Sequence, residues 1–226
     1  MQRGEFCLDT IMPAALFPPW ANTATRVVLG MLAAAVGGAI AAPMVCARMP
    51  DATGADDPVL QPILFDHRHH VRDDGIDCLY CHEDAERAPY AGVPAAERCM
   101  GCHDQIWNDA SAIALLRESV ATGQAIRWQR VHSLPDFVYF DHAVHVTRGI
   151  GCVSCHGRVD EMAAVYQVHR LTMSWCLDCH RNPTPHLRPR DRITSMTWTP
   201  ESPAQTAVLA SQYRTRSLTH CSACHR

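Results

Sequence analysis

The chain has 226 residues, among them 12 Cys and 14 His, and a formal charge of −3. That length holds one or two domains. All 20 basic residues are Arg and they form no stripe or run, so the charge pattern points to no nucleic-acid partner.

The first 26 residues are polar and Pro-containing, with two acids. Residues 27–45 then run without a charge, long enough to cross a bilayer as a helix. Arg3 and Arg26 precede this run, while Asp51, Asp56 and Asp57 follow it. That asymmetry predicts a cytoplasmic N-terminal segment (1–26), an anchor (27–45) and an external C-terminal domain. Gly30, Ala34, Gly38 and Ala42 recur every four residues and form a smooth face for another transmembrane helix. A cleaved signal peptide ending near 39–42 is the competing reading, for which the lead is long. Cys46 as a lipid attachment site is disfavoured by Pro43-Met44-Val45, and Cys7 reads as a free thiol. Residues 46–63, rich in Pro, Asp, Gly and Ala, read as a linker to a domain over 64–226.

That domain contains an internal repeat. Phe65-Asp66-His67-Arg68-His69-His70-Val71 precedes two Cys-x-x-Cys-His sites, Cys78/Cys81/His82 and Cys99/Cys102/His103. Phe140-Asp141-His142-Ala143-Val144-His145-Val146 precedes two more, Cys152/Cys155/His156 and Cys176/Cys179/His180. The repeat units span 65–104 and 140–181, separated by a segment with apolar residues at helical spacing over 110–122. A Pro/Arg-rich stretch over 182–226 ends in a fifth site, Cys221/Cys224/His225. Random ordering of this composition gives roughly 0.04 copies of the five-residue pattern.

In this pattern one helical turn presents two sulfurs to the vinyl groups of a haem, and the adjacent His reaches the iron as proximal ligand. Zinc is the rival for Cys/His clusters, but it wants four ligands and pairs Cys-x-x-Cys units, which suits five separate sites poorly. The expected cofactors are therefore five haem c. Covalent attachment to ten cysteines sets the domain outside the cytoplasm, on the periplasmic side of the inner membrane. Some 162 residues around five haems leave little for a conventional core, so the expected fold is mainly α and irregular, short helices and loops wrapped round porphyrins. Arg suits the haem carboxylates because its planar fork binds them bidentately; a GC-rich coding bias accounts for the same preference.

Each iron needs a sixth ligand. His67/His70 and His142/His145 stand at i, i+3, on one side of a helical turn, where each can reach a different haem. His132 is the expected distal ligand of the fifth, with Met162 or Met173 as competitors and His69 as a substitute for its neighbours. His169, His186 and His220 read as surface or core histidines. With every iron six-coordinate there is no open position for substrate, so the chain is expected to transfer electrons and not to catalyse alone.

The two F-x-H-x-x-H units with their Cys-x-x-Cys-His sites resemble class III multihaem cytochromes. The strings at 67–71, 75–78, 131–140, 151–160, 175–181 and 216–219 are similar to the pentahaem cytochrome c subunit of alternative complex III, and the likeness runs from about residue 61 to the end. The resemblance implies a quinol:electron-acceptor oxidoreductase in which this chain sits with iron–sulfur and polytopic membrane subunits. It would pass electrons to a monohaem cytochrome c or terminal oxidase. A menaquinone reductase haem subunit shares much of the pattern with electrons running the other way; a free periplasmic shuttle and a self-sufficient quinol dehydrogenase are the other readings.

Overall fold

The computed structural model describes residues 17–225; Arg3, Cys7 and the rest of the first 16 positions lie outside it. The chain divides into two units at residues 47 and 48, each taken by itself below.

Among the described residues the first unit consists of one helix, α1 (Trp20–Cys46), with no buried residue. It is longer than the 27–45 apolar run because the polar lead from Trp20 already winds helically. At 27 residues it reaches about 40 Å, enough for a bilayer with its interfaces. Pro43 sits in the last turn, where the helix is about to end anyway. Length and composition allow this helix to be a membrane anchor or a signal sequence.

The second unit is short helices and loops. After α2 (Pro50–Thr53) come α3 (Cys78–Cys81), α4 (Ala96–His103) and α5 (Ala114–Thr122). The second half has α6 (His142–Thr147), α7 (Val153–His156), α8 (Met173–Arg181) and α9 (Pro203–Gln212). Among the described residues there is no β-strand, only three isolated bridges. The helical spacing read over 110–122 appears as a 3-10 turn (Ser111–Ile113) running into α5, which stops at Gly123 with φ 68°, a left-handed conformation glycine adopts without strain.

Where composition predicts a linker, the chain instead docks. Ala55 is buried, Asp56 N donates to Gln167 O at 2.8 Å, and Val59 N donates to Val165 O at 3.2 Å. Gln167, only 2% exposed, returns a bond from Nε2 to Thr53 O at 3.1 Å. A buried residue whose backbone carbonyl accepts and whose side-chain amide donates can hold an otherwise polar segment against the domain, and composition alone does not reveal it.

The polypeptide's own apolar packing is sparse. One cluster joins Ile63, Ala96, Ile113 and Leu116 under α4 and α5. Another joins Leu187, Leu209 and Tyr213, with Ile150 and Trp198 against it. Tyr213 donates its hydroxyl to Arg188 O at 2.9 Å, and Arg188 N donates to Gly149 O at 2.8 Å, tying α9 to the loop after α6.

Candidate metal centres

Each Cys-x-x-Cys-His motif is wound into a helical turn. At the first, third and fifth sites the His amide donates to the carbonyl of the first Cys, at 2.8 Å (His82 to Cys78), 3.0 Å (His156 to Cys152) and 2.9 Å (His225 to Cys221). The second and fourth lie inside α4 and α8. Local capping explains why turns form here: Asp77 accepts from Leu79 N at the head of α3, and Thr172 from Trp175 N at the head of α8.

The two histidine-bearing turns resemble each other in their aromatic packing and differ in their backbone. Asp141 caps α6 by accepting from Val144 N at 3.1 Å. In the first repeat Arg68 replaces Ala143 and draws the Asp66 carboxylate to itself, with a 2.7 Å ion pair and a bond from Arg68 N at 2.9 Å. The regular cap is lost, and residues Arg68–Asp73 open into a wide π-helical turn closed by Asp74 N to His69 O at 2.9 Å. Arg68 also holds the Asp66 carboxyl down at about 2, chiefly through the side-chain hydrogen bond.

Six imidazoles are oriented by backbone carbonyls. His82 Nδ1 meets Gly92 O at 3.3 Å, His103 Nδ1 meets Ile106 O at 3.1 Å, and His225 Nδ1 meets Phe137 O at 3.0 Å. On the facing turns, His70 Nδ1 meets Asp66 O at 3.0 Å, His145 Nδ1 meets Asp141 O at 2.7 Å, and His142 Nδ1 meets Ala85 O at 2.8 Å. A carbonyl can only accept, so in every case Nδ1 carries the proton. The neutral ring then keeps its lone pair on Nε2, the tautomer a metal requires, with the second nitrogen fixing ring direction.

The rings meet in pairs. His70 faces His103 with centroids 6.1 Å apart, His145 faces His180 at 5.9 Å, and His142 faces His156 at 6.2 Å. Two imidazoles on opposite sides of one iron, each bonded at about 2 Å as in other imidazole–metal contacts, hold ring centres roughly 6 Å apart. The residues therefore fit a bis-histidine haem at these three sites. His67 has His82 as its strongest charged neighbour, and burial first, then His82, pushes it down to about 4. His156 is held at about 3, mainly by burial and then by His132. Both are kept neutral and ligand-competent at ordinary pH. Among the described residues no group of three or more His, Cys, Asp or Glu side chains closes on one point; the donors meet in twos.

His132 lies beside the third site: its ring is edge-on to His156 at 4.4 Å, too close for two rings flanking one metal. Its Nε2 is buried without a hydrogen-bond partner, as is His67 Nδ1. Of the two methionine competitors Met162 is buried and Met173 is exposed. His69 points away to Asp74, with Nε2 at 3.6 Å from the carboxylate, and His169 stacks on Trp175 at 5.0 Å. The orienting carbonyls of Gly92, Ile106, Ala85 and Phe137 had no signal in the sequence, since any residue supplies one. Phe65 and Phe140 did, as the first letter of each repeat. Phe65 lies flat on His70 at 4.4 Å and edge-on to His67 at 4.7 Å.

Comparison with known proteins agrees with this chemistry. Residues 138–226 match the family model described as cytochrome c7 and related cytochrome c, a span that holds the second repeat and the fifth site. A stretch of 97 residues is 37% identical to the multiheme cytochrome c subunit of menaquinone reductase from Nitratidesulfovibrio vulgaris (strain Hildenborough). That match covers 42% of this chain and 45% of the relative, so the chain spans under half the length of the curated protein it matches.

Proposed function

We propose that the multihaem cytochrome c domain carried by this chain holds five haem c and serves as the electron-transfer subunit of a membrane complex linked to the quinone pool. In this reading Cys78, Cys81, Cys99, Cys102, Cys152, Cys155, Cys176, Cys179, Cys221 and Cys224 form the thioethers. His82, His103, His156, His180 and His225 are proximal ligands, and His67, His70, His142 and His145 are distal ones. When bound, the haems supply one-electron iron redox chemistry. The chain's own part is to hold His70, His82, His103, His142, His145 and His225 in the Nδ1-protonated tautomer and to keep His67 and His156 neutral by burial.

The observation that carries this reading is the set of three facing imidazole pairs at 5.9–6.2 Å, because paired strong-field nitrogens suit electron transfer rather than substrate binding. In the finer reading α1 anchors the domain on the periplasmic face of the inner membrane. There the chain sits with iron–sulfur and quinol-binding subunits of an alternative complex III, delivering electrons to a monohaem cytochrome c or an oxidase. A second reading, favoured by the relative's name, is the haem subunit of a menaquinone reductase, with electrons entering through the haems.

Gentle solubilisation of native membranes, a blue-native gel and haem staining test the proposal. A haem band in a large assembly that oxidises quinol supports the first direction, and one that reduces menaquinone from a reduced cytochrome supports the second. Haem running at the mass of this chain alone, or in the periplasmic fraction without α1, would rule out both.

A further inference from the structure

The five attachment sites, numbered in chain order, are joined by different pieces of polypeptide, and those junctions define an order in space that differs from the order in sequence. The first and second sites share the turn carrying His67 and His70, and Arg98 of α4 binds Glu83 beyond α3 at 3.0 Å while its guanidinium lies over Tyr80 at 5.1 Å. The third and fourth share α6, whose His142 and His145 face His156 and His180. The fourth and fifth meet along residues 137–145: Phe140 stacks on His145, Phe137 lies by His225 at 5.8 Å, and Tyr139 N donates to Cys224 O at 2.8 Å.

The junction between the repeats falls on the first and third sites. Ile193 and Thr194, far along the chain from both, sit on the two motifs at once. Ile193 is 2% exposed and its carbonyl accepts from Cys152 N at 3.0 Å. Thr194 Oγ1 donates to Asp77 Oδ2 at 2.7 Å, and Thr194 O lies 4.0 Å from Cys78 Sγ. The other Asp77 oxygen caps α3 through Leu79 N at 2.9 Å. His142 adds a second tie, donating from Nδ1 to Ala85 O just beyond the first site.

We propose that the sites form one unbranched row in the order second, first, third, fourth, fifth, and that Ile193–Thr194 is a strap setting the single crossing between the repeats. The proposal rests on the five-haem reading above. Electrons move singly along such a row, each step oxidising one ferrous iron and reducing its ferric neighbour, with no bond made or broken. The second and fifth sites are then the two ends, and every electron passing through the protein crosses the strap.

The test begins with the intact mass of the full-length holo chain, followed by iron positions in a map of the native membrane assembly. Fewer than five haems would remove the reading on which the row rests. Five haems whose shortest iron–iron separations join the second to the first, first to third, third to fourth and fourth to fifth are the expected result. Five haems with any other connectivity overturn the row alone. The strap is tested with Thr194→Val, which deletes the bond to Asp77: two of the five haems, the first and third, should shift in redox titration and magnetic spectra, while Thr194→Ser keeps the parent behaviour. A shift in none of the five, or in all, refutes the strap.

Discussion

Phe140 lies flat on His145, ring centroids 4.5 Å apart and planes tilted by 29°, and Phe65 repeats the contact on His70 at 4.4 Å and 28°. The same Phe also stands edge-on to the other histidine of its turn. One ring thus limits the rotation of the imidazole that the Asp carbonyl orients from the other side. Aromatic contacts of this kind contribute about 0.5–1.5 kcal/mol beyond area burial. Phe140→Leu is therefore expected to loosen His145 by about 1 kcal/mol, seen as faster carbon monoxide capture by one haem of the reduced protein. Phe65→Leu should do the same to a different haem. An unchanged capture rate in both variants would show that the rings are only filling space.

Replacing a distal imidazole by a thioether raises haem potential. His70→Met is expected to raise one potential by at least about 60 mV, a tenfold change for one electron, with any others moving much less. Redox titration of the full chain, monitored optically, reads the outcome. If all potentials stay in place, His70 is not a ligand.

Gly149 and Gly75 separate two effects of glycine. Both have positive φ, 85° and 70°, but a Cβ on Gly149 would strike the ring of Tyr213 while one on Gly75 meets open space. Gly75→Ala should cost about 1 kcal/mol, for the backbone alone. Gly149→Ala should cost about 2–4 kcal/mol, because overpacking against a ring held by its own hydrogen bond adds to the backbone strain. Denaturant unfolding of the holo proteins, followed by far-ultraviolet dichroism, compares them; equal losses would contradict the packing described for Tyr213.

The Asp66–Arg68 pair makes a prediction with a definite sign. Its carboxyl is held at about 2 against an ordinary 3.8, so the unfolded chain binds the proton more readily than the folded one. The stabilisation is fully present above pH 3.8, fades as pH falls, and is gone below about 2. Wild type should thus exceed Asp66→Asn in stability near neutrality, by a small margin because the pair is exposed. The two should converge in acid, as read by loss of the haem bands in parallel acid titrations. A difference that grows on acidification would reverse the assignment.

The repeat was plain in the sequence because both turns spell F-D-H-x-x-H-V, and α5 because apolar residues recur at helical spacing over 110–122. The shape of the first turn was not: Arg68 and His69 stand against Ala143 and Val144, and the effect of Arg68 depends on where the Asp66 carboxylate finds its partner. Pattern also gave no hint that residues 50–59 would dock, because their partners, Val165 and Gln167, lie more than a hundred positions along the chain and bond mainly through backbone groups. The surroundings of His132 belong to tertiary structure altogether. Spacing can say that a histidine is spare, whereas only the fold sets it against His156.

The two small apolar clusters carry a consequence for how this protein is made. Ile63, Ala96, Ile113 and Leu116 in one, and Leu187, Leu209 and Tyr213 in the other, are too few to offset the chain entropy of nearly 180 ordered residues. A newly made polypeptide has little to collapse upon until its prosthetic groups are in place. Maturation and folding are then a single event, and a chain that misses its attachment machinery is expected to be an unfolded substrate for proteolysis. The cell's supply of the finished protein is set by its capacity to load haem as much as by translation.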